Sequence, residues 1–353
     1  MSNRYNIFQS LELVICIFCT TLSSAGDNTN STSACTDPQG FITLNIAGNE
    51  MSSPAFNLIG LGLYNAVEFQ NVISGINETS LNLEGETISV TQLTFPGEPF
   101  HKLQFDARYF LEIIDTADQT SLNPGVIVDI VESTLNTIKL VQDISSLIAI
   151  GDGVRIRKHH TIVSVFGSKN EAGLEEEDTL SIADKIILYN PVAQSSQIFF
   201  YSSNTGWVDT EGIPGGETIL YPDQGIIVHR LNNTDLLVKL FGNVKTGSTS
   251  IPFEVGRNLI ANVYPITYTL DDSGLFTGDE NSGIKENDSL ELADRIMILS
   301  RDGLLEGYHY SELLGGWVDR ELNPSGQVVI EVGTAVILQR LGEPINWLQE
   351  QPY

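Results

Sequence analysis

The sequence predicts an all-β protein made of small antiparallel sandwich- or barrel-like units in tandem, the two C-terminal units being a duplication. Three observations carry this. A long segment recurs without gaps at an offset of 110 residues. Turn-forming clusters recur about every ten residues between short runs rich in β-branched and aromatic side chains. No extended stretch has the 3.6-residue apolar period of a long helix.

The first 25 residues read as a signal peptide. Arg4 supplies a positive start, Leu13 to Leu22 an apolar run too short to span a bilayer, and Ser23-Ser24-Ala25 small residues for cleavage. Residues 26–35 are polar and small, a flexible leader. No second run of spanning length follows, so the expectation is an exported chain without a membrane span or C-terminal anchor. Of three cysteines, Cys16 and Cys19 fall within the signal. Cys35 is left without a partner for an internal disulfide, as a free thiol or a lipid attachment point. Asn30, Asn77, Asn232 and Asn287 begin Asn-x-Ser/Thr sequons, which matter only on a eukaryotic secretory route.

Residues 36–158 are expected to form an N-terminal β domain, with strands in Val72 to Leu83, Thr87 to Phe95, Tyr109 to Ile114, Val126 to Val131, Thr137 to Val141 and Val154 to Arg157. Residues 159–256 and 257–353 are then the two repeat units. Asp178-Thr-Leu-Ser-Ile-Ala-Asp-Lys-Ile-Ile-Leu matches Asp288-Ser-Leu-Glu-Leu-Ala-Asp-Arg-Ile-Met-Ile. The same offset carries Gly206-Trp-Val-Asp onto Gly316-Trp-Val-Asp and Arg230-Leu onto Arg340-Leu. Upstream, Thr161-Ile-Val-Ser-Val-Phe resembles Asn258-Leu-Ile-Ala-Asn-Val-Tyr at an offset of 98, which predicts a 12-residue insertion near Asp271 to Gly283 in the second copy. A fainter third start is visible at Asn57-Leu-Ile-Gly-Leu-Gly-Leu. Trp347 stands outside the repeat.

Acidic side chains number 45 against 18 basic ones, a net charge of −27. That balance argues against nucleic acid and anionic membrane surfaces, both of which need a basic face. It suits solubility in a saline exterior, or a surface that binds cations.

Thr36-Asp-Pro-Gln-Gly-Phe, Arg155-Ile-Arg-Lys-His-His-Thr, Ser164-Val-Phe-Gly, Ala183-Asp-Lys-Ile-Ile-Leu-Tyr-Asn, Pro222-Asp-Gln-Gly and Asn258-Leu-Ile-Ala-Asn-Val-Tyr-Pro occur in that order. Together they resemble a paralogous exported β-repeat family of unknown function typical of verrucomicrobial bacteria. The resemblance runs from about residue 36 to the end. It implies a bacterial exported β-protein and carries no activity with it.

The candidate sites have two readings each. Trp207 and Trp317, with Tyr201 and Tyr310, would stack on sugar rings if exposed. As residues kept at fixed register they would instead plug the core of each unit. Asp184 and Asp294 either repeat a cation ligand or pair with Arg230 and Arg340, one structural ion pair per unit. Asp209 and Asp319 read as turn residues, or as further members of such a repeated cation-ligand set. Asp271, Asp272, Asp279 and Glu280 form an acidic loop that is either solvated or, through its oxygens, suited to calcium. Arg155, Arg157, Lys158, His159 and His160 form the one basic cluster, placed to bridge the N-terminal part and the first repeat or to hold an anion. No nucleophile elbow, zincin, Walker or dinucleotide motif is present, and nothing selects a catalytic pair of carboxylates. The expectation is therefore a non-enzymatic structural or interaction protein of the cell envelope or extracellular matrix. Its partners would be envelope proteins or polysaccharide. A glycan-binding module is the alternative, with a secreted hydrolase behind it. No cofactor is expected beyond calcium.

Overall fold

A computed structural model describes residues 37–49, 55–83, 85–116, 120–121, 123–300 and 303–353. The signal peptide, the leader with Cys35, and the Asn30 sequon lie outside the described residues. The chain begins with β1 (Gln39–Ile46) and β2 (Ala55–Ile59). Seven strands follow: β3 (Val67–Val72), β4 (Gly75–Leu83), β5 (Glu86–Thr94), β6 (Tyr109–Ile114), β7 (Ile127–Ser133), β8 (Thr137–Leu140) and β9 (Gly153–Lys158). Next come β10 (His160–Thr161), a single helical turn α1 (Ile162–Phe166), β11 (Lys185–Asn190), β12 (Ser195–Ser202), β13 (Gly206–Asp209), β14 (Ile219–Leu220), β15 (Ile226–Arg230) and β16 (Leu236–Asn243). The second copy comprises β17 (Thr249–Phe253), β18 (Gly256–Ala261), β19 (Tyr268–Thr269), β20 (Arg295–Leu299), β21 (Leu305–Ser311), β22 (Gly316–Val318), β23 (Val329–Ile330), β24 (Ala335–Arg340) and β25 (Ile345–Gln349). The protein is all-β, with several antiparallel sheets.

Strand pairing redraws the expected domain limits. β1 pairs with β16 and β2 with β15, as β17 pairs with β25 and β18 with β24. The first copy therefore starts at β1, and β3–β9 are inserted into it. An N-terminal domain over 36–158 does not describe this, because its first two strands belong to the first repeat's sheets. The side-chain amides agree. Asn57 accepts from the Ala47 N–H and donates to the Ala47 carbonyl, and Asn258 does the same with Glu254. The fainter start at Asn57 is thus the true counterpart of Asn258. The Thr161 run is not: it caps and forms α1, with the Thr161 hydroxyl accepting from the Ser164 N–H. Thr161 of β10 and Thr269 of β19 take matching places, 108 residues apart, opposite β14 and β23. The second copy is therefore only two residues longer before the 110-residue offset resumes, not 12.

The inserted sheet has the order β3-β9-β6-β7-β8-β5-β4. Its two edge strands are one continuous segment. Ile73 exchanges backbone bonds with Gly151 and Asp152, while the Ser74 N–H donates to Thr94. The expected single strand from Val72 to Leu83 is bent here, and the bend closes the sheet into a small barrel. Edge-to-face rings of Phe69, Phe95, Phe100 and Phe105 fill one part of the core.

In the repeat, period-two alternation sets what each strand buries. Ile42, Leu44 and Ile46 of β1 face Val238 and Leu240 of β16 in the core, while Phe41, Thr43, Asn45, Leu237, Lys239 and Phe241 face out. The two copies join about a pseudo-two-fold axis. The Gly60 N–H donates to the Gly333 carbonyl at 3.0 Å, and Ala261, at the position matching Gly60, donates to Asp223 at 2.9 Å. Bridges Ile59–Thr334 and Gln224–Ile260 repeat the relation. Leu58, Tyr189 and Ile227 meet Leu259, Leu299 and Ile337, the same three positions from each copy. Gly225 sits in this seam because a Cβ there would lie 2.5 Å from that of Ala335.

Candidate functional site

Both repeat tryptophans are core residues. Trp207 and Trp317 are 4% and 3% exposed. The Trp207 indole donates to the Gly167 carbonyl at 2.7 Å, which a buried N–H requires. Tyr201 and Tyr310 stand edge-on to these indoles, and Tyr310 also stacks on Phe276. These residues therefore form no exposed sugar platform: alternation turns the indoles inward. Trp347 lies on β25 where Val238 lies on β16, so it belongs to the repeat after all.

Asp184 and Arg230 form a buried ion pair at 3.0 Å, Asp294 and Arg340 one at 2.7 Å. Each aspartate also accepts two backbone N–H groups, from Glu175 and Leu231 in one copy and from Lys285 and Leu341 in the other. That bond set ties the strand entry to the chain leaving the last core strand. A cation-ligand role does not fit carboxylates so fully engaged. The acidic loop does not converge either. Asp271 accepts from Gln327, Asp272 from Thr269 and Asp279 from Asn281. Among the described residues no three His, Cys, Asp or Glu side chains come together as a metal would need.

The basic cluster lies on the seam between the barrel and the first copy. Arg157, fully buried, pairs with Asp37 and lies 3.6 Å from Glu112. Lys245, from the chain leaving β16, pairs with the other Glu112 oxygen. Arg155 donates to the Thr246 hydroxyl at 2.8 Å and lies 3.7 Å from Asp37. Sequence reasoning missed Glu112 and Lys245. The signal was one acid inside the apolar run Tyr109-Phe-Leu-Glu-Ile-Ile.

Beside it, His159 Nε2 meets Asp129 at 2.9 Å, and the Tyr221 hydroxyl donates to the same carboxylate at 2.7 Å. Such a chain can relay protons, but the His159 side chain is fully buried and offers no atom to a substrate. Burial, and then the Asp129 charge, push the Asp223 carboxyl up to about 6. Burial pulls His160 down to about 4, its Nε2–H donating to the Leu63 carbonyl.

The two groups have opposite linkage. The Asp223 contribution is present below the unfolded pKa of about 3.9 and is lost as pH rises through about 6. The His160 contribution is present above the unfolded pKa of about 6.5 and is lost as pH falls through about 4. Asp223→Asn is therefore expected to gain stability over the native chain progressively as pH rises from about 4 to about 7. Urea unfolding across that range measures it; a pH-independent difference would contradict it.

The two copies differ most on their outer faces. Phe41, Phe56, Leu237 and Phe241 are exposed on the first copy, with Phe41 and Phe241 paired across the β1–β16 ribbon at 5.8 Å. The matching positions of the second copy hold Ser248, Arg257, Asn346 and Glu350. The fold thus accepts polar residues at all four places, and the first copy carries large apolar ones. No family model, no curated protein and no solved structure matches this chain. Among the described residues no helix is long and apolar enough to cross a membrane.

Proposed function

We propose that the chain is an exported, non-enzymatic interaction protein of the cell envelope or extracellular matrix, and that it holds a protein partner on the outer face of the β1–β16 ribbon. The observation that carries this is the one-sided apolar face. Phe41, Leu237 and Phe241 point outward from the ribbon and have polar or charged counterparts in the second copy, so packing within the unit does not demand them. Exposed aromatic residues grouped on one face are the usual anchors of protein interfaces. The net charge of −27 favours a partner whose rim around that contact is basic. The resemblance to exported verrucomicrobial proteins supports a contact outside the cytoplasm.

Purified mature chain is expected to be retained on washed envelope fractions. Phe41→Ser with Phe241→Glu, the residues the second copy uses, is expected to abolish retention without lowering the melting temperature. A native chain that is not retained, or a double variant retained as well as the native chain, overturns the reading.

A further inference from the structure

We propose that the second copy contains a binding cleft for a neutral saccharide, in contact with Gln349, Tyr268 and Phe276. This goes beyond the protein-partner reading and does not depend on it.

The cleft encloses about 470 Å³ between the loop 264–277 and the end of β25. That is within the usual range for small-ligand sites, about 300–1,000 Å³. Its floor, Tyr264 and Gln349 with Thr249 behind them, breaks the pattern that the first copy keeps. Ile42, Leu240 and Leu63 are core residues of the first copy, and their counterparts are Thr249, Gln349 and Tyr264. All three replacements are buried. Three polar groups thus stand where the same fold elsewhere uses hydrocarbon, and such departures from the packing rule mark functional positions.

Two of the three satisfy one another. The Tyr264 hydroxyl donates to the Gly247 carbonyl at 2.8 Å and lies 3.3 Å from the Thr249 hydroxyl. Gln349 is different. The residue is 7% exposed and lines the cleft. Its Oε1 is fully enclosed, while its Nε2 is not enclosed and donates to no described residue. An acceptor arriving from the cleft gives that amide N–H a partner.

The walls say what kind of acceptor. Tyr268 and Phe276 line the cleft, and stacking on Tyr310 with centroids 3.5 Å apart fixes the Phe276 plane. Asp272 and Glu350 stand exposed at the rim, and no Lys, Arg or His lines the site. An anion would meet two carboxylates and no positive charge. A cation reaching the floor would find a neutral amide instead of the buried countercharge it needs. A sugar fits both demands: hydroxyl oxygens accept from Gln349 while other hydroxyls donate to the rim carboxylates, and the C–H face of the ring lies on an aromatic wall.

The test is calorimetric titration of the full mature chain with tetrasaccharides of cellulose, mannan, chitin and amylose, with spermidine as the cationic probe. Saturable binding of at least one sugar is expected. Gln349→Leu, which installs the first copy's residue, is expected to weaken it about tenfold, the size of one lost hydrogen bond. Tyr268→Ala at the wall should also weaken it, and Phe241→Glu on the other copy should leave it unchanged. No saturable sugar binding at millimolar concentration, spermidine bound in preference, or sugar binding indifferent to both Gln349→Leu and Tyr268→Ala overturns the proposal. Loss of envelope retention in the Phe41/Phe241 variant with sugar binding intact separates the two readings.

Discussion

Replacing Glu112 by glutamine is expected to destabilise the protein by about 3–5 kcal/mol, the cost of leaving buried charge uncompensated. Glu112 is 1% exposed and stands between two cations, Arg157 and Lys245, that are themselves fully buried. Burial already pulls the Lys245 pKa down against the pull of Glu112. Without the glutamate, Lys245 loses its one ion-pair partner among the described residues, and Arg157 keeps only Asp37. These residues come from β6, β9, the entry to β1 and the exit of β16. The barrel's grip on the first copy should loosen with them. The double variant Glu112→Leu/Lys245→Met removes both members of the pair and should recover most of the loss. Denaturant unfolding of the three proteins decides it; a single-variant loss below about 1 kcal/mol would show that the ions are solvated.

Arg340→Met is expected to be nearly as costly, about 3–5 kcal/mol, and to exceed the effect of Arg230→Met. The two arginines hold matching places but are engaged differently. Arg340 donates to Asp294, to the Gly283 and Glu280 carbonyls at 3.0 and 2.7 Å, and to the Glu343 carbonyl at 2.6 Å. Arg230 donates to Thr234 and faces Asp184 at 3.0 Å, while its Nε and Nη1 lack well-aligned acceptors. A flat guanidinium with several donors in fixed directions serves the first arrangement and lysine cannot copy it. Arg340→Lys should therefore recover little. Equal losses at the two positions would show that the carbonyl contacts contribute nothing.

Much of the architecture was legible in the sequence because β-repeats write their period twice. The 110-residue register found β11–β15 and β20–β24 together, since turn residues, Trp and Arg recur there without gaps. The insertion was misread for a physical reason. β1 and β2 pair with strands far along the chain, and the match of Asn57 to Asn258 is short. A stronger local likeness between Thr161 and Asn258 therefore competed with it, although Thr161 begins a helical turn. The candidate sites were less visible. Exposure of Trp207 and Trp317 depends on strand parity, which spacing alone did not fix. Gln349 stands out only when β25 is laid on β16, an alignment that pairing supplies. Glu112 and Lys245 meet across chain separation that no local pattern spans.

The barrel's placement inside the first copy also sets the order in which the molecule can assemble. β1 and β2 leave the ribosome first but have no sheet to join until β15 and β16 exist. The barrel, by contrast, finds its sheet partners within its own stretch of chain, and the second copy finds its own between β17 and β25. Long-range closure of this kind is the slow event in β-protein folding. The first copy's sheets therefore close late, around two bodies already formed, and the chain carries β1 and β2 as free edges until they do.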